Sequence, residues 1–215
     1  MKFNLLAWIS IAIIVCNLYL LIPGRVTAMI RGIAVQGFLL SILPLLLPHS
    51  VERIHIVILF ILSAGIKGVL IPRYLFKAVR GVRVLNEIRP AVGFSLSIVY
   101  GILISALSFY ALRKIPFYSV TISPFHGATA IATAFIGLFI IIVRRNVVAQ
   151  IIGYLVFENA AYVLGISVAA SMPLFIEMGV LLDILASTFI MVIAVNYVHT
   201  KHETICGRSL ESLTN

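Results

Sequence analysis

Runs of apolar residues, each about twenty long and separated by short polar turns, occupy almost the whole chain. A segment of that kind has no polar face to wet and cannot be a surface helix of a soluble domain. In a bilayer its solution is the α-helix, which satisfies every backbone polar group within the segment. The expected fold is therefore all-α, a polytopic integral membrane protein. Composition agrees, because 62% of the 215 residues are hydrophobic, 11% are charged and mean hydropathy is +1.16. A soluble domain needs far less apolar surface than that.

Hydropathy predicts about seven spans, at residues 4–22, 27–47, 54–76, 91–112, 125–143, 147–170 and 174–198. One transmembrane domain, 1–215, divides into a four-helix part over 1–122, a three-helix part over 123–199 and a polar tail over 200–215. The first run has no small-residue cleavage site and reads as a retained helix. Net charge is +9 with a pI near 9.9, but the basic residues sit mostly in loops. Arg25, Lys77, Arg80, Arg83, Arg89, Arg144, Arg145, Lys201 and Arg208 fall on one side, and Lys2, Arg53, Arg113 and Lys114 on the other. The heavier side is expected to be cytoplasmic, with the N-terminus outside and the C-terminus inside. Topology thus explains the charge without a nucleic-acid partner. The one sizeable loop, Lys77–Pro90, reads as a cytoplasmic connection that can also lie against anionic headgroups. Cys16 and Cys206 form no disulfide framework or metal spacing.

Against this apolar background the buried charges are the informative residues. Glu158 lies in the middle of the sixth run, about 16 Å from its cytoplasmic end. Asp183 is about 14 Å from the outer end of the seventh. The two runs form an antiparallel hairpin around Ala170-Ser171-Met172-Pro173, which sets both carboxyls near the midplane. Lys67 lies mid-way along the third run. Ionisable groups at that depth are costly and mark ion paths and proton relays, or else serve as interhelical hydrogen bonds. Glu158, Asp183 and Lys67 are accordingly the candidates for a proton or ion path. Pro72 removes a backbone hydrogen bond and loosens the helix around Lys67, while Gly65 and Gly68 let neighbours approach. Lys67 either takes a buried role or snorkels to the interface.

Lower in rank, Glu177 sits near the outer end of its span, where an interfacial role is expected. His126 opens the fifth span on the outer side, where proton entry and a wetted side chain are both open. Arg31 lies close to a cytoplasmic end and is expected to snorkel. Asn159 is expected to face another helix than Glu158 does. The charge of the Arg144-Arg145-Asn146 turn is explained by topology alone. No P-loop, HExxH, GxSxG or paired-histidine haem pattern occurs, so no nucleotide or redox cofactor is expected on this chain.

The segment from Arg144 through Gln150-Ile-Ile-Gly153-Tyr-Leu-Val-Phe-Glu158-Asn-Ala160 resembles the hydrogenase-4 component E family, membrane subunits of energy-converting [NiFe] hydrogenases and formate hydrogenlyase-type complexes. The resemblance continues through Glu177-Met-Gly-Val-Leu-Leu-Asp183, Gly65-Ile-Lys67-Gly-Val-Leu-Ile-Pro72 and the tail at Ser209–Thr214. It spans the whole length, with the first two runs alike in hydropathy alone. Ala160 departs from the glycine common there. The last three runs are also similar to subunit K of NADH-quinone oxidoreductase and to its small counterpart in Mrp-type sodium/proton antiporters. Aligned on Gly153 and Asn159, the subunit K glutamate falls at Leu155, nearly one helical turn from Glu158.

The resemblance implies a non-catalytic subunit of an oxidoreductase complex in a prokaryotic inner membrane. It further implies antiporter-like and subunit-H-like membrane partners, and hydrogenase large and small subunits carrying the [NiFe] centre and iron–sulfur clusters. The competing expectations are a subunit of an Mrp-like cation/proton antiporter and a structural membrane spacer.

Overall fold

The structure, a computed structural model, describes residues 2–46, 53–79, 92–114 and 124–168. Helices α1 (Lys2–Leu21) and α2 (Val26–Leu46) come first. Next, α3 (Arg53–Ser63) continues through a π-helical stretch, Ala64–Leu70, into α4 (Ile71–Val79). Then follow α5 (Phe94–Lys114), α6 (Pro124–Val143) and α7 (Val147–Val168). These elements coincide, within a few residues at each end, with the first six predicted runs. The seventh run, with Glu177, Asp183 and the tail, lies outside the described residues, as does most of the Lys77–Pro90 loop. Four helices, α2, α5, α6 and α7, are long and apolar enough to cross a membrane, against about seven spans expected from hydropathy. Helix α1 contributes a shorter apolar stretch, Leu5–Leu21.

Side-chain distribution is that of a protein in contact with lipid. Trp8, Ile142 and Tyr110 are 66%, 78% and 58% exposed, while Asn17, Gln36 and Thr133 are fully buried. Large apolar groups outside and polar groups inside invert the pattern of a water-soluble surface. This is an all-α membrane protein.

Helix α2 is central, packing on α1, α3, the π stretch, α4 and α7, while α6 and α7 form the most intimate pair. Their crossing depends on glycine. A methyl added at Gly137 would lie 2.6 Å from the Phe157 amide nitrogen and 2.8 Å from the Gly153 carbonyl oxygen. Where lipid is as apolar as the side chains, such close approach supplies the packing that holds helices together. Helix α5 follows the same rule with a narrow stripe of Ser97, Gly101, Ser105 and Ser108 turned inward. The hydroxyls of Ser97, Ser105 and Ser108 donate to carbonyls one turn back, at Gly93, Gly101 and Ile104.

The turn between α6 and α7 is built by side chains that topology alone does not explain. Arg144 is 1% exposed, donates from Nη2 to the Leu21 carbonyl at the end of α1, and lies 5.0 Å from the Phe94 ring. Burial lowers its proton affinity from the ordinary guanidinium value. Arg145, its neighbour, is exposed. Asn146 caps α7, its Oδ1 accepting from the amides of Val148 at 2.9 Å and Ala149 at 3.3 Å. Asn146→Ala is expected to lower stability by about 1 kcal/mol, read as a fall in the thermal midpoint of the purified protein, with Asn146→Asp retaining the cap.

Candidate functional site

The π stretch explains how Lys67 comes to face inward. Pro72 has no amide hydrogen and cannot continue the α-helical ladder back to Gly68. Just before it the register widens, and the Ile71 amide bonds the Ile66 carbonyl, five residues back. Single π turns of this kind recur at functional positions in helices. Below the stretch, Ile71, Leu75 and Val79 share one face and anchor α4 in the apolar core, with Arg73, Tyr74 and Lys77 outward.

Close approach here belongs to Gly37 of α2, facing the lysine. A methyl on Gly37 would lie 2.9 Å from Lys67 Cβ and 3.0 Å from the Lys67 carbonyl oxygen. The expectation that Gly65 and Gly68 create the approach is corrected. An added methyl at Gly65 meets nothing within 4 Å, and one at Gly68 meets only Phe38, at 3.8 Å. One turn on, Ser41 donates to the Gly37 carbonyl at 2.8 Å and lies 3.3 Å from the Ser63 hydroxyl.

From this position Lys67, 5% exposed, reaches α7. Its Nζ lies 3.8 Å from Glu158 Oε1 and donates to Asn159 Oδ1 at 3.0 Å. It also stands 4.5 Å from the centroid of the Tyr162 ring. Glu158 and Asn159 are each 4% exposed and Tyr162 6%. Lys67 is thus buried, and the snorkelling alternative is excluded. Asn159 does not face elsewhere, since it shares the lysine with Glu158. Nothing in its local sequence singles out Tyr162, although it lies four residues after Glu158, on the same helical face. An aromatic face over a desolvated ammonium contributes about 2 kcal/mol.

The other candidates fall apart from this cluster. Arg31 is exposed, as snorkelling requires. His126 is 8% exposed, so the wetted alternative for it is corrected. Its ring packs inside the bundle two residues into α6, with no hydrogen-bond partner for Nε2 among the described residues. Elsewhere in the interior a second set of polar groups, unmarked in the sequence, is connected. Gln36 Nε2 donates to Asn17 Oδ1 at 2.9 Å, Asn17 Nδ2 donates to Thr133 Oγ1 at 2.7 Å, and Thr133 donates to the Thr129 carbonyl.

A charge pair 3.8 Å apart at an effective dielectric near 20 attracts by about 4 kcal/mol. Desolvating two ions costs several kcal/mol each. The Lys67–Glu158 pair is therefore near balance, and its net stabilisation is small. What the arrangement does chemically is hold an amine and a carboxyl where one proton can be gained, lost or shared without bulk water.

No family model and no solved structure matches the chain. Among curated proteins it is similar to hydrogenase-4 component E of Escherichia coli (strain K12), 28% identical over 86 residues. The same identity over the same length is found with hydrogenase-4 component E of Escherichia coli O157:H7 and of Shigella flexneri. The match takes in 40% of this chain and 40% of the length of each of these relatives, narrower than the whole-length resemblance expected from the motifs.

Proposed function

We propose that the chain is a membrane-arm subunit of a complex-I-like, energy-converting hydrogenase or related oxidoreductase complex. In it, the chain carries intramembrane charge for proton translocation coupled to redox chemistry on partner subunits. The observation that carries this reading is the buried cluster of Lys67, Glu158, Asn159 and Tyr162 inside an apolar helix bundle. A pair that adds little to stability has its best-attested use as a switch, and membrane-buried charges are relay groups by default. Similarity to hydrogenase-4 component E supports hydrogenase partners over the antiporter alternative. On this reading, antiporter-like and subunit-H-like membrane proteins flank the chain, and hydrogenase subunits carry the [NiFe] centre and iron–sulfur clusters. Asp183 joins the path from the helix following α7.

Within the chain, Glu158 accepts a proton and the Lys67 ammonium sets when it can be released. When Glu158 is charged, the pair is closed. When a proton neutralises the carboxyl, attraction to Lys67 falls, and Asn159 and Tyr162 remain to hold the ammonium in place. Movement of charge on a neighbouring protein of the complex can therefore tip the pair between two states.

The test is proton uptake by inverted membrane vesicles containing the whole complex, per hydrogen turned over. Glu158→Gln keeps the shape and removes the exchangeable charge, and is expected to lower the ratio at least tenfold with the complex assembled. An unchanged ratio overturns the reading in favour of a structural spacer. Co-purification of a nickel-binding large subunit in mild detergent separates the hydrogenase assembly from an antiporter.

A further inference from the structure

Helices α1 and α6 run parallel, as two contacts require. The Asn17 amide bonds Thr133, and four residues later the end of α1, at Leu21, receives Arg144 from the end of α6. Seven residues before Asn17 on the same face of α1 is Ser10, and seven before Thr133 on the same face of α6 is His126. Both therefore stand at one level, about 10 Å from the Asn17–Thr133 bond towards the N-terminal ends of the two helices. Between His126 and Thr133, Thr129 continues the line at helical spacing, fully buried.

Three groups in or beside this line have polar atoms without a hydrogen-bond partner among the described residues: Ser10 Oγ, His126 Nε2 and Gln36 Oε1. They are 1%, 8% and 0% exposed. A buried polar atom left unmatched in a dry interface costs about 1–3 kcal/mol, and buried polar groups are satisfied by protein or by ordered water. Three at the ends of one connected line are the signature of internal water. The inner end also leads in the right direction. Gln36 precedes Gly37, which abuts Lys67, and lies one turn before Leu40, which packs in the same cluster as Tyr162.

We infer that His126, Ser10, Thr129, Thr133, Asn17 and Gln36 line a water-filled, hydrogen-bonded route that carries protons from the N-terminal end of α6 to the Lys67–Glu158 pair. This rests on the proton-relay reading of that pair and names its supply. Hydroxyls and amides both accept and donate, so a proton is passed by hopping along waters held between them, with no net bond made or broken and each donor restored by the next proton behind it.

The discriminating variants are Ser10→Ala and Thr129→Val. The Ser10 hydroxyl has no partner among the described residues, and that of Thr129 donates to its own helix at Phe125. In a dry contact, losing either hydroxyl is neutral or stabilising. In a wet route each loses a water ligand. Proton uptake per hydrogen turned over is measured in vesicles containing the whole complex, with Glu158→Gln in parallel. The expected result is a fall of at least fivefold for Ser10→Ala and for Thr129→Val, with Thr129→Ser restoring the ratio. Wild-type ratios for Ser10→Ala and Thr129→Val beside a collapsed Glu158→Gln overturn the route and leave the relay standing. A wild-type ratio for Glu158→Gln overturns both.

Discussion

Lys67→Met is expected to destabilise the protein by about 3 kcal/mol, and the double variant Lys67→Met, Glu158→Leu to recover most of that loss. Removing one member of a buried ion pair leaves a desolvated charge behind, which costs about 3–5 kcal/mol. Here the effect falls at the low end of the range, because a lone carboxyl can neutralise itself by binding a proton. Removing both charges leaves a near-apolar contact between the π stretch and α7, and the net worth of the intact pair is small. The Asn159 and Tyr162 contacts to the ammonium are also lost in both variants, so recovery is incomplete. Midpoints of thermal unfolding in detergent, read for the two single variants and the double, complete the cycle. Equal losses for Lys67→Met and for the double variant would show that Glu158 does not depend on Lys67. The double variant also separates stability from function, since it is expected to assemble and yet to translocate no protons.

The second large effect is expected at Gly137. Val at this position has to be placed where a Cβ already lies 2.6 Å from the Phe157 amide nitrogen. Backbone cannot swing aside as a side-chain tip can, so α6 and α7 must separate. Overpacking of this kind costs about 1–3 kcal/mol, and Gly137→Val is expected at the top of that range. Gly153→Ala is expected to be milder, because two of its closest contacts, at 2.9 Å, are the Ile140 and Ile141 side chains, although the Gly137 carbonyl at 3.0 Å limits the relief. Gly65→Ala, where an added methyl meets nothing within 4 Å, changes stability by less than about 1 kcal/mol. Phe157 is next to Glu158, so separating the helices also draws the carboxyl away from Lys67. Gly137→Val therefore loses proton translocation along with stability, whereas Asn146→Ala loses stability alone.

Six of the predicted runs coincide with the observed helices because hydropathy over about twenty residues is a property of the local chain. The importance of Lys67 and Glu158 is legible for the same reason, since a charge within such a run is anomalous wherever the helix ends up. Pro72 also carries its consequence openly, because a missing amide breaks the ladder in any context. The interior polar line is not legible. Asn17, Gln36 and Thr133 are uncharged, and nothing in their local windows separates a buried amide from one facing a neighbouring protein. Sequence reading passes over Gly37 and overvalues Gly65, because a glycine beside the lysine and one on a facing helix look alike until the helices are packed. It assigns Arg144 to topology because the adjacent Arg145 has the same charge. Only the turn's geometry buries one and exposes the other.

Local chemistry thus determined the helical class, the positions of the described helices and the identity of the costly charges, because each depends on residues within a turn or two of one another. Which groups meet was decided by tertiary packing. Lys67 and Glu158 are 91 residues apart in sequence, and their encounter depends on a π turn that swings the lysine inward, a glycine on α2 that admits it and a glycine crossing that sets the depth of α7. Those are distances between helices, and the order of residues along any one helix does not contain them.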